Sequence, residues 1–360
     1  MNNIPQIMSG VYLTGHGGLD KLVYREDIPV PTPQAGEVLI EVKGAGVNNT
    51  DINTRLGWYS KKVTSDTNAG GTEGLQEVDD DASWSGVPLQ FPRIQGGDIC
   101  GIIVQVGEGV EQNRIGKRVL VRSMQNIPTK DNPLAMQTMG SEVDGGFAQY
   151  CVAKAKESFP INCEWSDTEL ASIPISYSTA EGMLCRADIE KETILITGAS
   201  GGVGSAAIQL AKVRGAKIIA QCAPDKANAL KDLGADRTVN RTDDLVGILG
   251  ENSVDAVVDL VGGSSWPQLL DILKPGGKYV ASGAIAGPIV DLDLRSLYLK
   301  DLTLFGSTVH DPYVFENVIR CIEEGQIKPL VAQSFPLKEI HQAQTVFMEK
   351  KFIGKLVLIP

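Results

Sequence analysis

The sequence predicts an α/β protein: a doubly wound parallel six-stranded sheet, preceded by a smaller, partly closed β-barrel domain. Three observations carry this. From residue 158 onward, short apolar strands alternate with segments of helical apolar spacing, the texture of a parallel sheet covered by helices. A glycine-rich run, Gly198-Ala-Ser-Gly-Gly-Val-Gly204, stands between the first of those strands and its helix. Before residue 158 the runs are short, rich in β-branched residues and punctuated by Gly and Pro, as in a small barrel.

In chain order, Val11–Thr14, Leu22–Val30, Glu37–Val42, Ile99–Val106, Arg118–Arg122 and Phe147–Ala153 read as strands. Pro29, Pro31 and Pro33 keep their stretch out of a sheet centre. Residues 60–90 are polar and Gly-rich, include Asp79-Asp80-Asp81, and are expected to lack regular structure. Trp58, Trp84 and Phe91 bracket this insertion, which is either a lid over a substrate mouth or a mobile acidic loop. In the second half, strands are expected at Thr193–Thr197, Lys217–Cys222, Thr238-Val239, Val254–Val261, Lys278–Ser282 and Leu302–Phe305. Helices are expected at Val203–Val213, Lys226–Leu233, Asp243–Leu249 and Trp266–Leu273, the last ended by Pro275-Gly276-Gly277. Helices over Tyr313–Glu324 and Leu337–Lys350 and a strand at Lys355–Ile359 close the chain.

At 360 residues the chain suggests two or three domains. Lys plus Arg number 33 and Asp plus Glu 44, giving a net charge of −11. That excludes nucleic acid or an anionic membrane surface as the main partner, because both reward a basic face. No apolar run reaches the roughly 20 residues of a membrane span, and Met1–Gly10 lacks the pattern of a signal peptide. Six cysteines without a CxxC pair fit free thiols in a reducing, cytoplasmic compartment. The three histidines and the cysteines show no zinc-ligand spacing, so no metal site is expected.

The glycine run carries the chemistry. A pyrophosphate needs a tight turn, a backbone bare enough to lie against N–H groups, and the positive end of a helix. Gly198, Ser200, Gly201, Gly202, Val203 and Gly204 supply them. The second strand ends in Gln221-Cys222-Ala223-Pro224, with no carboxylate where an NAD site usually holds the ribose hydroxyls. Lys226 and Arg241 lie nearby in sequence and suit a 2′-phosphate, though both could be plain surface charges. NADPH is therefore expected over NADH. Cys222, Val261, Gly283 and Ala284, at or beyond the ends of successive strands, complete the expected cofactor contacts.

Further landmarks are Gly36-Glu-Val-Leu-Ile-Glu-Val42, Gly46-Val-Asn-Asn-Thr-Asp51, Gly96-Gly-Asp-Ile-Cys-Gly101, Gly145-Gly-Phe-Ala-Gln-Tyr150, Leu273-Lys-Pro-Gly-Gly277 and Gly354-Lys-Leu-Val357. In this order and spacing the chain resembles the medium-chain dehydrogenase/reductase superfamily, and within it the zinc-free quinone oxidoreductase and enoyl reductase branch. The resemblance implies a GroES-like catalytic domain at 1–157 and 310–360, carrying the insertion 60–90. It implies a Rossmann dinucleotide-binding domain at 158–309 and an active site in the cleft. Zinc alcohol dehydrogenases of the superfamily have a Cys ligand where Asn48 stands and a His ligand where Gly97 stands. The departure implies no zinc.

Asn48 matches the active-site Asn of the related reductases, which implies a donor to the substrate oxygen. Tyr59 matches a pocket Tyr that donates or lines. Thr50 and Asp51 share the segment, Asp51 orienting neighbours, touching the cofactor or capping a helix over Ile52–Leu56. Thr179 matches a position near the nicotinamide, with a helix start as the plain reading. The expected activity is NADPH-dependent reduction of a quinone or an α,β-unsaturated carbonyl. The alternatives are a zinc-free aldehyde or ketone reductase and a low-turnover NADPH-binding sensor or structural protein. A homodimer through the edge Leu302–Phe305 is also expected.

Overall fold

Six parallel strands pair in the order Arg237–Asn240, Lys217–Cys222, Thr193–Ile196, Val254–Asp259, Leu273–Ala281 and Thr303–Gly306. The order reverses between Thr193–Ile196 and Val254–Asp259, the switch point at which such sheets bind ligands. The computed structural model describes residues 4–75, 78, 79 and 81–360. Asp80 of the acidic run, and Met1 to Asn3 of the leader reading, lie outside the described residues. Ile194, Leu195, Ile196, Val257 and Val258 are fully buried, as continuous apolar strands covered on both faces must be.

The Rossmann strands fall where the sequence puts them, with one correction. The helix from Trp266 stops at Asp271, and Leu273 already pairs with Val254. The ladder then slips between Val254 and Ala256, so Pro275-Gly276-Gly277 is absorbed as an irregularity inside a strand instead of ending a helix. Helices Pro174–Arg186 and Leu294–Leu299 and strand Val331–Pro336 have no counterpart in the sequence reading.

The remaining residues build two further sheets and a small hairpin. Ile7–Leu13 pairs with Leu22–Pro29 on one side and Arg93–Ile94 on the other, which leaves Pro29 at the end of an outer strand. A larger sheet runs Ser158–Pro160, Arg118–Val121, Asp98–Val106, Glu37–Val47, Lys355–Ile359, Val331–Pro336, with Tyr150–Lys154 also on Glu37–Val47. Thus the last strand of the chain returns beside one of the first. Met124–Asn126 and Met136–Thr138 form the hairpin. Helix Pro312–Glu323 turns Phe315, Val318, Cys321 and Ile322 inward, into the core shared with Pro174–Arg186.

Between 60 and 90, the one helical element among the described residues is a single 3₁₀ turn, Thr67–Gly70. The six cysteines are free thiols. Among the described residues, no helix is long and apolar enough to cross a membrane.

Candidate active site

Strand Glu37–Val47 runs straight into helix Asn49–Leu56, and Asn48 is the N-cap between them. The cap is closed by Asp51, whose carboxylate accepts from the Asn48 backbone N–H at 2.7 Å. The same carboxylate accepts from the Gly96 N–H at 3.3 Å. Asp51 therefore caps this helix, one of the roles the sequence left open, and ties the helix start to the loop before Asp98. Burial pushes its carboxyl up to about 7, against the pull of those two N–H groups and of Lys355.

Both ends of the Asn48 amide are occupied. Its Nδ2 donates to Asp98 Oδ2 at 2.8 Å, and its Oδ1 accepts from the Lys355 ammonium. Lys355 and Asp98 are themselves paired at 2.8 Å, both buried, and Asp98 Oδ1 accepts from the Ile175 N–H at 2.5 Å. Sequence reasoning quoted Asp98 and Lys355 only inside family landmarks. The missed signal is a charged residue at the start of an otherwise apolar strand, in Asp98-Ile-Cys and Lys355-Leu-Val-Leu-Ile.

Asn48 is buried, whereas Thr50 and Tyr59 keep partial exposure. The Tyr59 hydroxyl donates to Thr50 Oγ1 at 3.1 Å, which leaves the Thr50 hydroxyl hydrogen free to donate onward. Burial raises the Tyr59 pKa, keeping it a neutral donor. Trp58 and Trp84 meet the Tyr59 ring edge-on, with centroids 5.7 and 6.0 Å away. The insertion thus reaches the site through Trp84. It also reaches the nucleotide side, where the Thr67 N–H donates to the Ile285 carbonyl at 3.1 Å, one residue past Ala284.

The glycine run forms the expected turn into helix Gly202–Arg214, with Gly201 as N-cap. A Cβ on Gly204 would strike the Gly198 carbonyl and lie 2.6 Å from Ala199 Cα, so the strand–helix approach demands glycine there. A Cβ on Gly202 would lie 2.6 Å from Ser176 Oγ and 2.7 Å from Lys355 Cδ. The Lys355 stem therefore passes the positive end of this helix. Next to it, the Gly354 N–H donates to the Ser200 carbonyl at 3.1 Å. A nicotinamide dinucleotide fits this cradle: a bare glycine turn and first-turn N–H groups with no partner inside the helix.

Where the sequence expects the adenosine, Cys222 is buried at its strand terminus, and the Arg241 N–H donates to its carbonyl at 3.3 Å. Arg241 is exposed. Lys226 departs from both sequence readings: its ammonium is buried and donates to the carbonyls of Lys350 and Phe352 at 2.7 and 2.9 Å. It staples the C-terminal segment to the nucleotide sheet. Val261 and Gly262 donate to Asp259, which also accepts from Thr197 and Tyr279. This fixes the loop beside Gly198, where a Cβ would lie 3.1 Å from Val261 Cγ2. Gly283 packs its backbone against the Leu260 carbonyl, and Ala284 against Gly262. Thr179 lies mid-helix in Pro174–Arg186, half-buried, and does not start it.

Lys350 adds a second ammonium. It sits 3.1 Å from Asn49 Oδ1 and 3.8 Å over the Phe347 ring. Burial, then the charge of Lys355, lowers its pKa to about 7.

A family model described as alcohol dehydrogenase GroES-like domain matches residues 34–162, and one described as zinc-binding dehydrogenase matches residues 202–324. The chain is also 44% identical to the crystal structure of a "putative alcohol dehydrogenase" from Sinorhizobium meliloti 1021, with TM-score 0.88, covering 100% of this chain and 98% of that one. The chain belongs to the medium-chain dehydrogenase/reductase superfamily. Among curated relatives, quinone oxidoreductase of Homo sapiens is 26% identical over 98% of both chains. Acryloyl-coenzyme A reductase of Metallosphaera sedula is 27% identical over 98% of this chain and 99% of its own. Within the superfamily the chain stands in the quinone oxidoreductase-like branch.

Many members of the superfamily hold zinc, and the residues of this medium-chain enzyme do not fit it at the corresponding place. The donor set there is an amide and the Asp98 carboxylate, with the Lys355 ammonium already bound to both. Position 97 is glycine and offers no ligand, and a Cβ there would lie 2.6 Å from Ile175 Cδ1 and 2.6 Å from Ser123 Oγ, so those side-chain ends would have to shift. Among the described residues, no group of three or more His, Cys, Asp or Glu could hold a metal ion.

Proposed function

We propose that this protein is a zinc-independent, NADPH-dependent oxidoreductase that reduces a quinone or an α,β-unsaturated carbonyl compound. One observation carries the reading: Thr50, with the Tyr59 hydroxyl bonded to it, stands at the same helix start as the buried Asn48–Asp98–Lys355 node, whose lysine stem lies against the cofactor helix. The nicotinamide supplies the hydride when bound. The chain's part is to bind, orient and donate.

In this proposal the first turn of Gly202–Arg214 receives the pyrophosphate, and Arg241 the 2′-phosphate. Thr179 borders the nicotinamide. Negative charge growing on the substrate oxygen is met by the Thr50 hydroxyl, backed by Tyr59. Asn48, with both ends engaged, is a positioning residue: it holds Lys355 and Asp98 at the head of the helix that carries Thr50. Trp84 and the insertion cover Tyr59 and exclude water.

The proposal includes the division into a catalytic domain, 1–157 with 310–360, and a nucleotide domain, 158–309, and a cytoplasmic location. It includes a homodimer through Thr303–Gly306. That strand is the edge of its sheet, and Leu294, Tyr298 and Leu299 nearby are exposed. Light scattering that finds only monomer at micromolar concentration removes the dimer.

The 44% identity to a protein described as an alcohol dehydrogenase favours a second reading, reduction of an aldehyde or ketone by the same donors. Following NADPH oxidation with a quinone, an enone and an aldehyde in parallel separates the two. Turnover confined to the aldehyde would replace the first reading with the second.

A further inference from the structure

Where the sheet of Ile7–Leu13, the larger sheet and the hairpin meet, the chain leaves a cavity of about 280 Å³. Met8 lines it from Ile7–Leu13, Ile28 from Leu22–Pro29 and Ile94 from Arg93–Ile94. Met139 and Val143, from the segment after Met136–Thr138, line the side of the hairpin. Strand Tyr150–Lys154 closes the remaining side. None of the lining residues belongs to the Asn48 node, the Thr50–Tyr59 pair or the glycine turn.

Met8, Ile28, Ile94 and Met139 are buried, so most of the surface offered to an occupant is aliphatic or thioether. One lining residue breaks that pattern. Gln125, from the hairpin strand Met124–Asn126, is 2% exposed, and its Nε2 has no hydrogen-bond partner. A buried amide nitrogen left bare costs about 1–3 kcal/mol, and it can only donate. What satisfies it is an acceptor carried in by an occupant of the cavity.

The charges of the lining say which acceptor. Glu37 accepts from the Gln34 N–H at 2.8 Å and stands opposite Lys154 in the strand register. Asp144 accepts from Arg93 at 2.8 Å and from the Ile94 N–H at 3.0 Å. Two carboxylates are thus balanced by two cations, and no net charge is left to receive an ion. A carboxylate ligand would lose its hydration without a counter-charge, whereas a neutral carbonyl oxygen loses little and takes the Gln125 hydrogen bond. At about 30 Å³ for each non-hydrogen atom, the share of a water molecule in the liquid, the volume suits a compound the size of a substituted single ring.

We propose that this cavity is a second binding site, apart from the active site, for a small, uncharged, largely apolar compound whose carbonyl oxygen accepts from Gln125.

Calorimetric titration of methyl benzoate into the full chain tests it, beside ethylbenzene, which lacks the acceptor, and benzoate, which adds a charge. The ester resists reduction by hydride, so binding is read without turnover. The site predicts saturable binding of methyl benzoate, about fivefold or more tighter than ethylbenzene by one net hydrogen bond, and weaker binding of benzoate than of either. Gln125→Met keeps the apolar volume, removes the donor, and brings methyl benzoate to the affinity of ethylbenzene. Val143→Trp, at a half-buried position, fills the cavity and removes binding of both while cooperative unfolding is retained. Thr50→Val binds methyl benzoate as the unaltered protein does. Absence of heat with methyl benzoate overturns the proposal. So does equal or tighter binding of ethylbenzene or benzoate, and so does undiminished affinity for the ester in Gln125→Met. Loss of affinity in Thr50→Val would move the ester to the active site and overturns it as well. None of these titrations involves a nucleotide, so their failure leaves the oxidoreductase reading standing.

Discussion

Lys355 and Asp98 meet at 2.8 Å out of reach of solvent, and the amide of Asn48 spans the pair. The ion pair joins the last strand of the chain to the strand that follows the Gly96-Gly97 turn. Removing the cation leaves a buried carboxylate that still accepts from Ile175 and Asn48. Lys355→Met should therefore cost about 3–5 kcal/mol in denaturant unfolding. Adding Asp98→Asn should recover part of that, because the amide oxygen still serves Ile175 while the unpaired charge is gone. A double variant no more stable than the single one would contradict the pairing.

In the proposed reading Thr50 and Tyr59 donate to the substrate, and Asn48 positions them. Thr50→Val should lower kcat by about a hundredfold and leave NADPH affinity in place. Tyr59→Phe should lower it less, because Thr50 keeps its own hydrogen. Asn48→Ala should lose stability together with activity, since it uncouples Lys355 from the helix start. Stopped-flow single turnovers with separate measurement of unfolding distinguish these outcomes. A Thr50→Val enzyme at full kcat would return the donor role to Asn48.

Asp51 sets a pH dependence of stability. Its folded value, about 7, lies above the unfolded carboxyl value, which is near ~3.9. The folded chain therefore keeps a proton that the unfolded chain releases. The contribution is fully present below about pH 4 and is lost as pH rises through 7. Asp51→Asn cannot ionise, so the stability difference between native protein and variant should move in the variant's favour across that window. Parallel curves of unfolding midpoint against pH would contradict the raised value.

The glycine turn was legible because its chemistry is local: Gly201, Gly202 and Gly204 sit between one strand and one helix. The Asn48 node was not, because its partners lie 50 and 307 residues away in the chain, and no spacing rule joins them. The same distance hid the fate of Lys226, which reads as a 2′-phosphate partner or a surface cation until the C-terminal carbonyls close over it. Helix Pro174–Arg186 escaped because Pro-Ile-Ser-Tyr-Ser-Thr-Ala-Glu-Gly is buried on nearly every side and shows no polar face. The insertion was rightly read as irregular, yet its two anchors, Trp84 on Tyr59 and Thr67 on Ile285, are tertiary and leave no local pattern.

Those anchors make the insertion testable as a cover. Trp84→Ala should release the Tyr59 ring and raise the acceptor KM several-fold, with NADPH affinity unchanged. Deletion of Lys62–Ser85 should widen the range of acceptor sizes accepted. Unaltered KM values and substrate range in both variants would reduce the segment to an ornament of the surface loop.

The claim on which the rest depends is that the glycine turn and Arg241 receive a phosphorylated nicotinamide dinucleotide. Calorimetric titration with NADPH and NADH tests it most directly. The account predicts saturable binding of both, at least about tenfold tighter for NADPH by one charge-assisted phosphate contact, with Arg241→Gln erasing the difference. No heat of binding with either nucleotide would contradict it.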